Sequence, residues 1–242
     1  MIVLFTDFGL AGPYTGQVNA VLHETAPCVP VIQLFADVPA GQPKPAAYLL
    51  AAYAAWFPAA SILLCVVDPG VGSARRGLIA EADGRLYVGP DNGLFELVLR
   101  RAASPSCWEI GWRPAALSAT FHGRDLFAPV AGRLARGEKP AAMASRTAPR
   151  GYPDWPDDLP KIVYIDHYGN ALTGLRGECL PATARLAAGG RSIPHADTFA
   201  AAAPGDAFWY VNSNGLVEIA VNAGRADRIC GLAVGSAIEI LA

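Results

Sequence analysis

The chain is poor in the residues that hold metals and build covalent catalysts. Its 242 residues include only four histidines and five cysteines. No His-x-x-x-His or Cys-x-x-Cys spacing occurs, and the scattered aspartates have no ligand grammar, so no metal is expected. Cys28, Cys65, Cys107, Cys179 and Cys230 are odd in number and widely spaced. That pattern favours reduced thiols in a cytoplasm over a disulfide framework. A Gly-x-Ser-x-Gly elbow and a Gly-Lys-Ser/Thr loop are both missing, and Gly70-Val71-Gly72 lacks the third glycine of a dinucleotide fingerprint. Charge is also scarce, at 17% of residues with a net charge of −2. Such a balance argues against a nucleic-acid partner or an anionic membrane surface. Met1–Phe5 is too short, and lacks the basic flank, to read as a signal peptide.

One long apolar run is present. Residues 46–67 carry no charge over 22 positions, the length of a membrane helix. Pro58 interrupts it, and the composition changes from Ala/Leu/Tyr/Trp to Ile-Leu-Leu-Cys-Val-Val. The expectation is a buried helix over 46–57, a turn, and a buried parallel strand over 61–67 that ends at Asp68. Elsewhere in the first half, strands are expected at Ile2–Phe5, Val31–Phe35, Leu78–Ala82 and Arg85–Val88, the last two joined by an Asp83-Gly84 hairpin. Helices are expected at Gly16–His23, Gly93–Arg101 and Asp125–Arg136, with Gly137 as a stop. This alternation predicts an α/β domain over 1–150 with a mostly parallel central sheet. Residues 138–160 are rich in Pro, Ala and Asp and read as a surface linker, with the boundary proper at 151–160. From 161 to 242 short strands and Gly/Asn turns predict a small antiparallel β-barrel domain, with strands at Lys161–Ile165, Thr183–Ala187, Ala207–Val211, Leu216–Val221 and Ser236–Leu241.

Polar residues gather among glycines in five places. Thr6-Asp7-Phe8-Gly9, Val66-Val67-Asp68-Pro69-Gly70-Val71-Gly72 with Arg75-Arg76, Gly89-Pro90-Asp91-Asn92-Gly93 and Asp166-His167-Tyr168-Gly169-Asn170 each follow a short apolar strand, whereas Thr120-Phe121-His122-Gly123-Arg124-Asp125 leads into a helix. In a parallel sheet the carboxyl ends of the strands share an edge, so Asp7 and Asp68 should lie on one rim. Asp91-Asn92 reads as a turn and helix cap, Arg124 and Asp125 as a pair or cap, and His23 and His195 as structural. Asp166 and His167 are strand neighbours and should face opposite ways. What remains is one Asp, one Arg and one His in Gly-rich loops, the components for positioning a water.

These five motifs, with a weaker sixth at Asn212-Ser213-Asn214-Gly215-Leu216-Val217-Glu218-Ile219-Ala220, occur in an order that resembles the S-adenosyl-L-methionine (SAM) hydroxide adenosyltransferases, relatives of the fluorinase and chlorinase. The resemblance implies a homotrimer that binds SAM between subunits and hydrolyses it to adenosine and L-methionine without a cofactor. It implies a water-activating triad at Asp68, Arg75 and His122. Asp7 would grip the ribose hydroxyls beside Phe8, Asp166 and Asn170 would contact the methionine and ribose parts, and Tyr168 would pack on the ligand. Ser213 would hold the methionine end, and Asn222 with the Ala223 backbone would read the adenine edge. Gly174 stands where the family carries an asparagine, and Arg76 reads as a surface or subunit-contact residue. Two alternatives accompany this reading: a chlorinase that forms 5′-chloro-5′-deoxyadenosine, and a SAM- or adenosine-binding regulator.

Overall fold

The structure is a computed structural model that describes residues 1–241. The chain divides into two compact units, Met1–Tyr152 and the residues from Pro153 onward.

In the first unit, β1 (Ile2–Thr6), α1 (Tyr14–Thr25), β2 (Val31–Phe35), α2 (Pro43–Ala54) and β3 (Ile62–Val66) alternate. They are followed by β4 (Gly77–Ala82), β5 (Arg85–Pro90), α3 (Glu96–Arg101), β6 (Ser106–Ile110), α4 (Ala128–Ala135) and β7 (Ala144–Arg146). The seven strands form one sheet in the order β2-β1-β3-β5-β4-β6-β7. The β2-β1-β3-β5 pairings are parallel and the rest antiparallel, so β1, β2, β3, β5 and β6 share one direction and β4 and β7 oppose it. β3 is the spine: all five of its residues, Ile-Leu-Leu-Cys-Val, are buried. Each such aliphatic side chain contributes about 1.5–3 kcal/mol on burial. α1 and α4 pack with the sheet through Val18, Leu22, Val130 and Leu134. A Cβ on Gly132 would lie 2.6 Å from the Thr25 Cγ2, so only glycine admits this helix contact.

The uncharged run at 46–67 thus divides as its sequence indicates, into α2, a turn containing Pro58, and β3. No helix among the described residues is long and apolar enough to cross a membrane. The Asp83-Gly84 turn has φ values of 49° and 74°, the left-handed pair that a type I′ hairpin requires. One sequence expectation needs correction, and one strand goes unannounced. The 138–160 stretch is not all linker, because Ala144–Arg146 pairs with β6 and extends the sheet. β6 itself, Ser-Cys-Trp-Glu-Ile, carries no alternation long enough to announce it.

The second unit contains β8 (Leu159–Ile165), β9 (Ala171–Arg176), β10 (Arg185–Ala188), β11 (Arg191–Ile193), β12 (Ala207–Val211), β13 (Leu216–Val221), the short α5 (Ala226–Ile229) and β14 (Glu239–Leu241). They form two antiparallel sheets, β12-β13-β9-β8 and β11-β10-β14. Leu175, Leu186, Ile193, Trp209, Val217 and Ile219 share one core between them. Single bridges, Lys161–Ala237 and His195–Trp209, link the edges of the two sheets. β9 and β11 go unrecognised in the sequence because β9 follows the Asp166–Asn170 loop at once and β11 is three residues long.

Candidate active site

The strand order places a site before any side chain is considered. β1 connects to β2 on one side, and the chain then returns to β3 on the other side of β1. A crevice opens outside the carboxyl ends of two parallel strands whose connections diverge in this way. Thr6 of β1 pairs in register with Val66 of β3, so Asp7 and Asp68 emerge side by side on that rim. The Asp7 amide donates to the Val66 carbonyl at 3.4 Å.

The turn after Asp68 is built by its own polar groups. The Val71 amide donates to the Asp68 carbonyl and the Ser73 amide to the Gly70 carbonyl, at 3.3 and 3.1 Å. Ser73 Oγ donates to the same Gly70 carbonyl at 2.6 Å and accepts from the Arg75 amide at 3.2 Å. Gly72 has φ of 78°, and a Cβ there would stand 2.6 Å from the Ala119 carbonyl oxygen. That close approach draws the distant 119–123 loop to the Asp68 turn.

Arg75 joins the two loops. Its Nε donates to Asp68 Oδ1 at 2.8 Å, and its Nη2 pairs with Asp68 Oδ2. Nη2 also donates to His122 Nδ1 at 3.0 Å, and Nη1 donates to the Arg76 carbonyl at 3.1 Å. The Phe127 ring lies under the guanidinium, 5.1 Å from centroid to Cζ. Side-chain exposures of 11% for Arg75 and 5% for Asp68 make this a buried bidentate pair. A guanidinium only donates, so His122 Nδ1 must accept, and the imidazole is neutral with its proton on Nε2. Burial and then the Arg75 charge hold the His122 pKa below its ordinary value, which agrees with the neutral form. His122 directly precedes a π-helical turn, Gly123–Phe127, that leads into α4. The sequence pattern starts an ordinary helix only at Asp125, so the π turn begins two residues earlier, in what reads as loop.

Asp7, Phe8, Asp68, Thr120, Phe121 and His122 line a cavity of about 140 Å³, room for a few waters. Asp7 Oδ2 accepts from the Gly41 amide at 2.8 Å. Burial raises the Asp7 pKa; the Gly41 amide opposes that shift, and the nearby Asp68 charge adds to it. Phe8, Tyr14 and Phe121 pack edge to face or tilted at the rim, with centroid separations of 5.4–6.2 Å.

The second unit carries a cavity of its own, about 510 Å³, lined among others by Asp166, Tyr168, Asn170, Phe199, Glu218 and Ala223. Asn170 donates its amide to Asp166 Oδ1 at 2.8 Å and its Nδ2 to Asp166 Oδ2 at 3.0 Å, which closes the loop. Tyr168 is 73% exposed. Ala223 has φ of 55°. Ser213 and Asn222 are not among the lining residues. Ser213 is exposed, and Asn222 Nδ2 donates to the Ala202 carbonyl at 2.7 Å. Glu218, by contrast, to which the sequence pattern assigns no role of its own, faces this cavity. It is 5% exposed, and accepts from Tyr210 Oη at 2.5 Å and Asn212 Nδ2 at 2.9 Å. Burial foremost raises its pKa, and the Asp166 charge adds to that. In the sequence, Glu218 is the lone charge in the apolar strand Leu-Val-Glu-Ile-Ala-Val, all of it buried.

The remaining polar motifs are structural. Asn92 Nδ2 donates to the Val67 carbonyl at 2.8 Å and so braces the end of β3. Arg124 pairs with Asp125 at 2.6 Å, and Asp125 accepts from the Ser118 amide at 2.9 Å. Arg76 is not a simple surface residue: it binds Asp91, Thr147 and the Ala148 carbonyl.

An α/β sheet with a buried acid–arginine pair and a half-buried histidine at its switch point defines a site that can orient a small nucleophile and take its proton. The comparisons place the chain more narrowly. The N-terminal domain model of the SAM hydroxide adenosyltransferases matches residues 2–144 and the C-terminal domain model matches 160–239, so the chain belongs to that family. It is 38% identical to an (R)-S-adenosyl-L-methionine hydrolase of Salinispora arenicola over 98% of this chain and 96% of that one. It is 37% identical to the protein of the same name from Thermus thermophilus, over 99% of each. Among solved structures, an uncharacterized conserved protein of Thermotoga maritima superposes with a TM-score of 0.91 at 27% identity, covering 100% of both chains.

Proposed function

We propose that the protein hydrolyses S-adenosyl-L-methionine to adenosine and L-methionine. The observation that carries this reading is the Arg75-centred set: in a chain of this family, it puts a carboxylate and a neutral imidazole on one small cavity. In the proposed reaction, a water donates one hydrogen bond to Asp68 and accepts another from His122 Nε2–H. Its oxygen attacks C5′ of the ribose in line with the C5′–S bond. The O–C5′ bond forms as the C5′–S bond breaks, the bonding pair passes to sulfur, and the sulfonium leaves as the neutral thioether of methionine. The water's proton passes to Asp68 and then to solvent. A positioned general base of this kind contributes about 10²–10⁴-fold. Loss of the positive charge on sulfur supplies a leaving group that needs no acid, and the step needs neither a metal nor a cofactor.

Asp7 and Phe8 would hold the ribose. Asp166, Tyr168 and Asn170 would meet the methionine and ribose parts, and the Ala223 backbone the adenine; Ser213 and Asn222, which stand outside the lining of that cavity, would add contacts to the methionine end and the adenine. The active form is proposed to be a cytoplasmic homotrimer with SAM bound between neighbouring subunits. Two features support a surface completed by another copy. A cavity of about 140 Å³ is too small for SAM, since pockets for ligands of that size run to about 300–1,000 Å³. Leu10 and Tyr14, which follow the Asp7 motif, are 82% and 50% exposed. The named relatives act on the (R) sulfonium form, and the same epimer is expected to react here. A chlorinase is disfavoured because the Asp68 carboxylate would repel a halide from the same cavity. Incubation of pure protein with SAM in chloride buffer, followed by chromatographic resolution, tests the reading. Adenosine and methionine in equal amounts support it. A 5′-chloro-5′-deoxyadenosine peak would favour the halogenase, and bound but unchanged SAM would leave only a regulator.

A further inference from the structure

Arg75 is held by the residue beside it. The Arg76 carbonyl accepts from Arg75 Nη1 at 3.1 Å and from the Asp91 amide at 3.0 Å. Four of the five Arg75 N–H donors are then directed: two to Asp68, one to His122 and one to this carbonyl. The Arg76 side chain fixes where that carbonyl stands. Its Nε donates to Asp91 Oδ2 at 2.9 Å, its Nη1 to Thr147 Oγ1 at 3.0 Å, and its Nη2 to the Ala148 carbonyl at 3.1 Å. A longer contact, 3.5 Å, reaches Glu109. Asp91 is buried and accepts from the Arg150 amide at 3.0 Å through its other oxygen. Arg76 immediately precedes β4, Asp91 immediately follows β5, Glu109 lies in β6, and Thr147 follows β7. One guanidinium thus ties together the ends of four neighbouring strands, and the carbonyl of the same residue orients the catalytic pair.

We propose that Arg76, with Asp91, is a positioning residue: it acts on the reaction through Arg75 by holding the guanidinium where it can grip Asp68 and His122 together. This rests on the SAM hydrolase reading for its kinetic consequence, but not for its structural one. If the clamp is released, Arg75 gains freedom and its charge moves away from His122 Nδ1. SAM binding by other residues is untouched, so the loss should fall on turnover. Misplacement by about 1 Å costs on the order of 10²-fold in rate.

The test compares wild type with Arg76→Ala, Arg76→Lys and Asp91→Asn by two readouts. The first is kcat and KM for SAM. Arg76→Ala is expected to lose about 10- to 100-fold in kcat with KM changed by less than about threefold, and Arg76→Lys, which keeps the charge but cannot span Asp91 and Thr147, to recover part of the loss. The second readout is the His122 imidazole pKa by NMR titration, which needs no activity. Arg75, Arg113, Asp68 and Asp125 are the charged groups that act on His122. Of these, Arg75 is the charge displaced, so the His122 pKa should rise in Arg76→Ala. If Arg76→Ala does not fold, Asp91→Asn, which keeps the shape and the acceptor for the Arg150 amide, should give the same changes at smaller size. A folded variant with unchanged kcat and unchanged His122 pKa overturns the proposal. A wild type that leaves SAM intact while its variants still shift the His122 pKa would overturn the hydrolase reading and spare the positioning role.

Discussion

Replacing Asp68 by Asn probes the site at one atom. The variant keeps the shape of the side chain and removes its charge. Asn Oδ1 can still accept from Arg75 Nε, but Nδ2 then faces the Arg75 Nη2 donor that pairs with Asp68 Oδ2 in the native chain. Two consequences follow, of different size. For stability, the pair is buried, with exposures of 11% and 5%, so removal of one charge leaves the other uncompensated. Breaking such a pair costs about 3–5 kcal/mol, and the surviving Nε bond argues for the lower end. A change of about 3 kcal/mol corresponds to a fall in Tm of roughly 6–12 °C, readable by calorimetry. For activity, the base is gone while its neighbours remain, and kcat should fall by about 10²–10⁴-fold. KM for SAM should hardly move, because Asp68 is assigned to the water and not to SAM. The assay is chromatographic release of adenosine under saturating SAM at a temperature where the variant is folded. A folded variant with kcat within about threefold of wild type would refute the assignment of Asp68 as base.

Other outcomes follow from the same geometry. The active His122 is neutral and its pKa is held below the ordinary 6.5, so activity should fall only on the acid side, with the midpoint below pH 6.5 in a profile of kcat/KM; a midpoint above 6.5 would contradict the Arg75–His122 contact. Gly72→Ala places a side chain at φ of 78° and 2.6 Å from the Ala119 oxygen, and should cost about 1–3 kcal/mol by denaturant unfolding together with a loss of kcat. The Glu218 pKa is raised above its ordinary 4.5 in the fold, so its contribution is fully present at pH below 4.5 and is lost as pH rises through the raised value. Glu218→Gln lacks this titration, so its Tm relative to wild type should improve between pH 4 and pH 7; an unchanged difference would mean that the carboxylate is not perturbed by the fold.

Much of the site was readable because its physics is local. A charge-free strand, Ile62–Val66, ending in Asp-Pro-Gly declares a buried element that delivers a carboxylate, and the structure puts that carboxylate beside Asp7 on one rim. The Asp83-Gly84 hairpin was equally legible, since its turn chemistry lies in two residues. What the sequence concealed depends on contacts far apart in the chain. The tautomer of His122 follows from an Arg75 donor 47 positions away. The role of Arg76 depends on Thr147 and Ala148, on a stretch that reads as linker until β7 is seen to pair with β6. Glu218 was visible as an acid in an apolar strand, but its partners Tyr210 and Asn212 come from across the β12–β13 hairpin. Ser213 and Asn222, taken from the resemblance, do not line the cavity that holds Asp166 and Asn170.

Delivery of water to C5′ of SAM by the Arg75-held carboxylate and imidazole can be followed by turnover of SAM in ¹⁸O-labelled water, with mass spectrometry of the adenosine formed. One ¹⁸O per adenosine is expected, at the 5′-hydroxyl, with none in methionine and loss of the labelled product in Asp68→Asn. Unlabelled adenosine, or labelled adenosine formed at the wild-type rate by Asp68→Asn, would contradict that delivery.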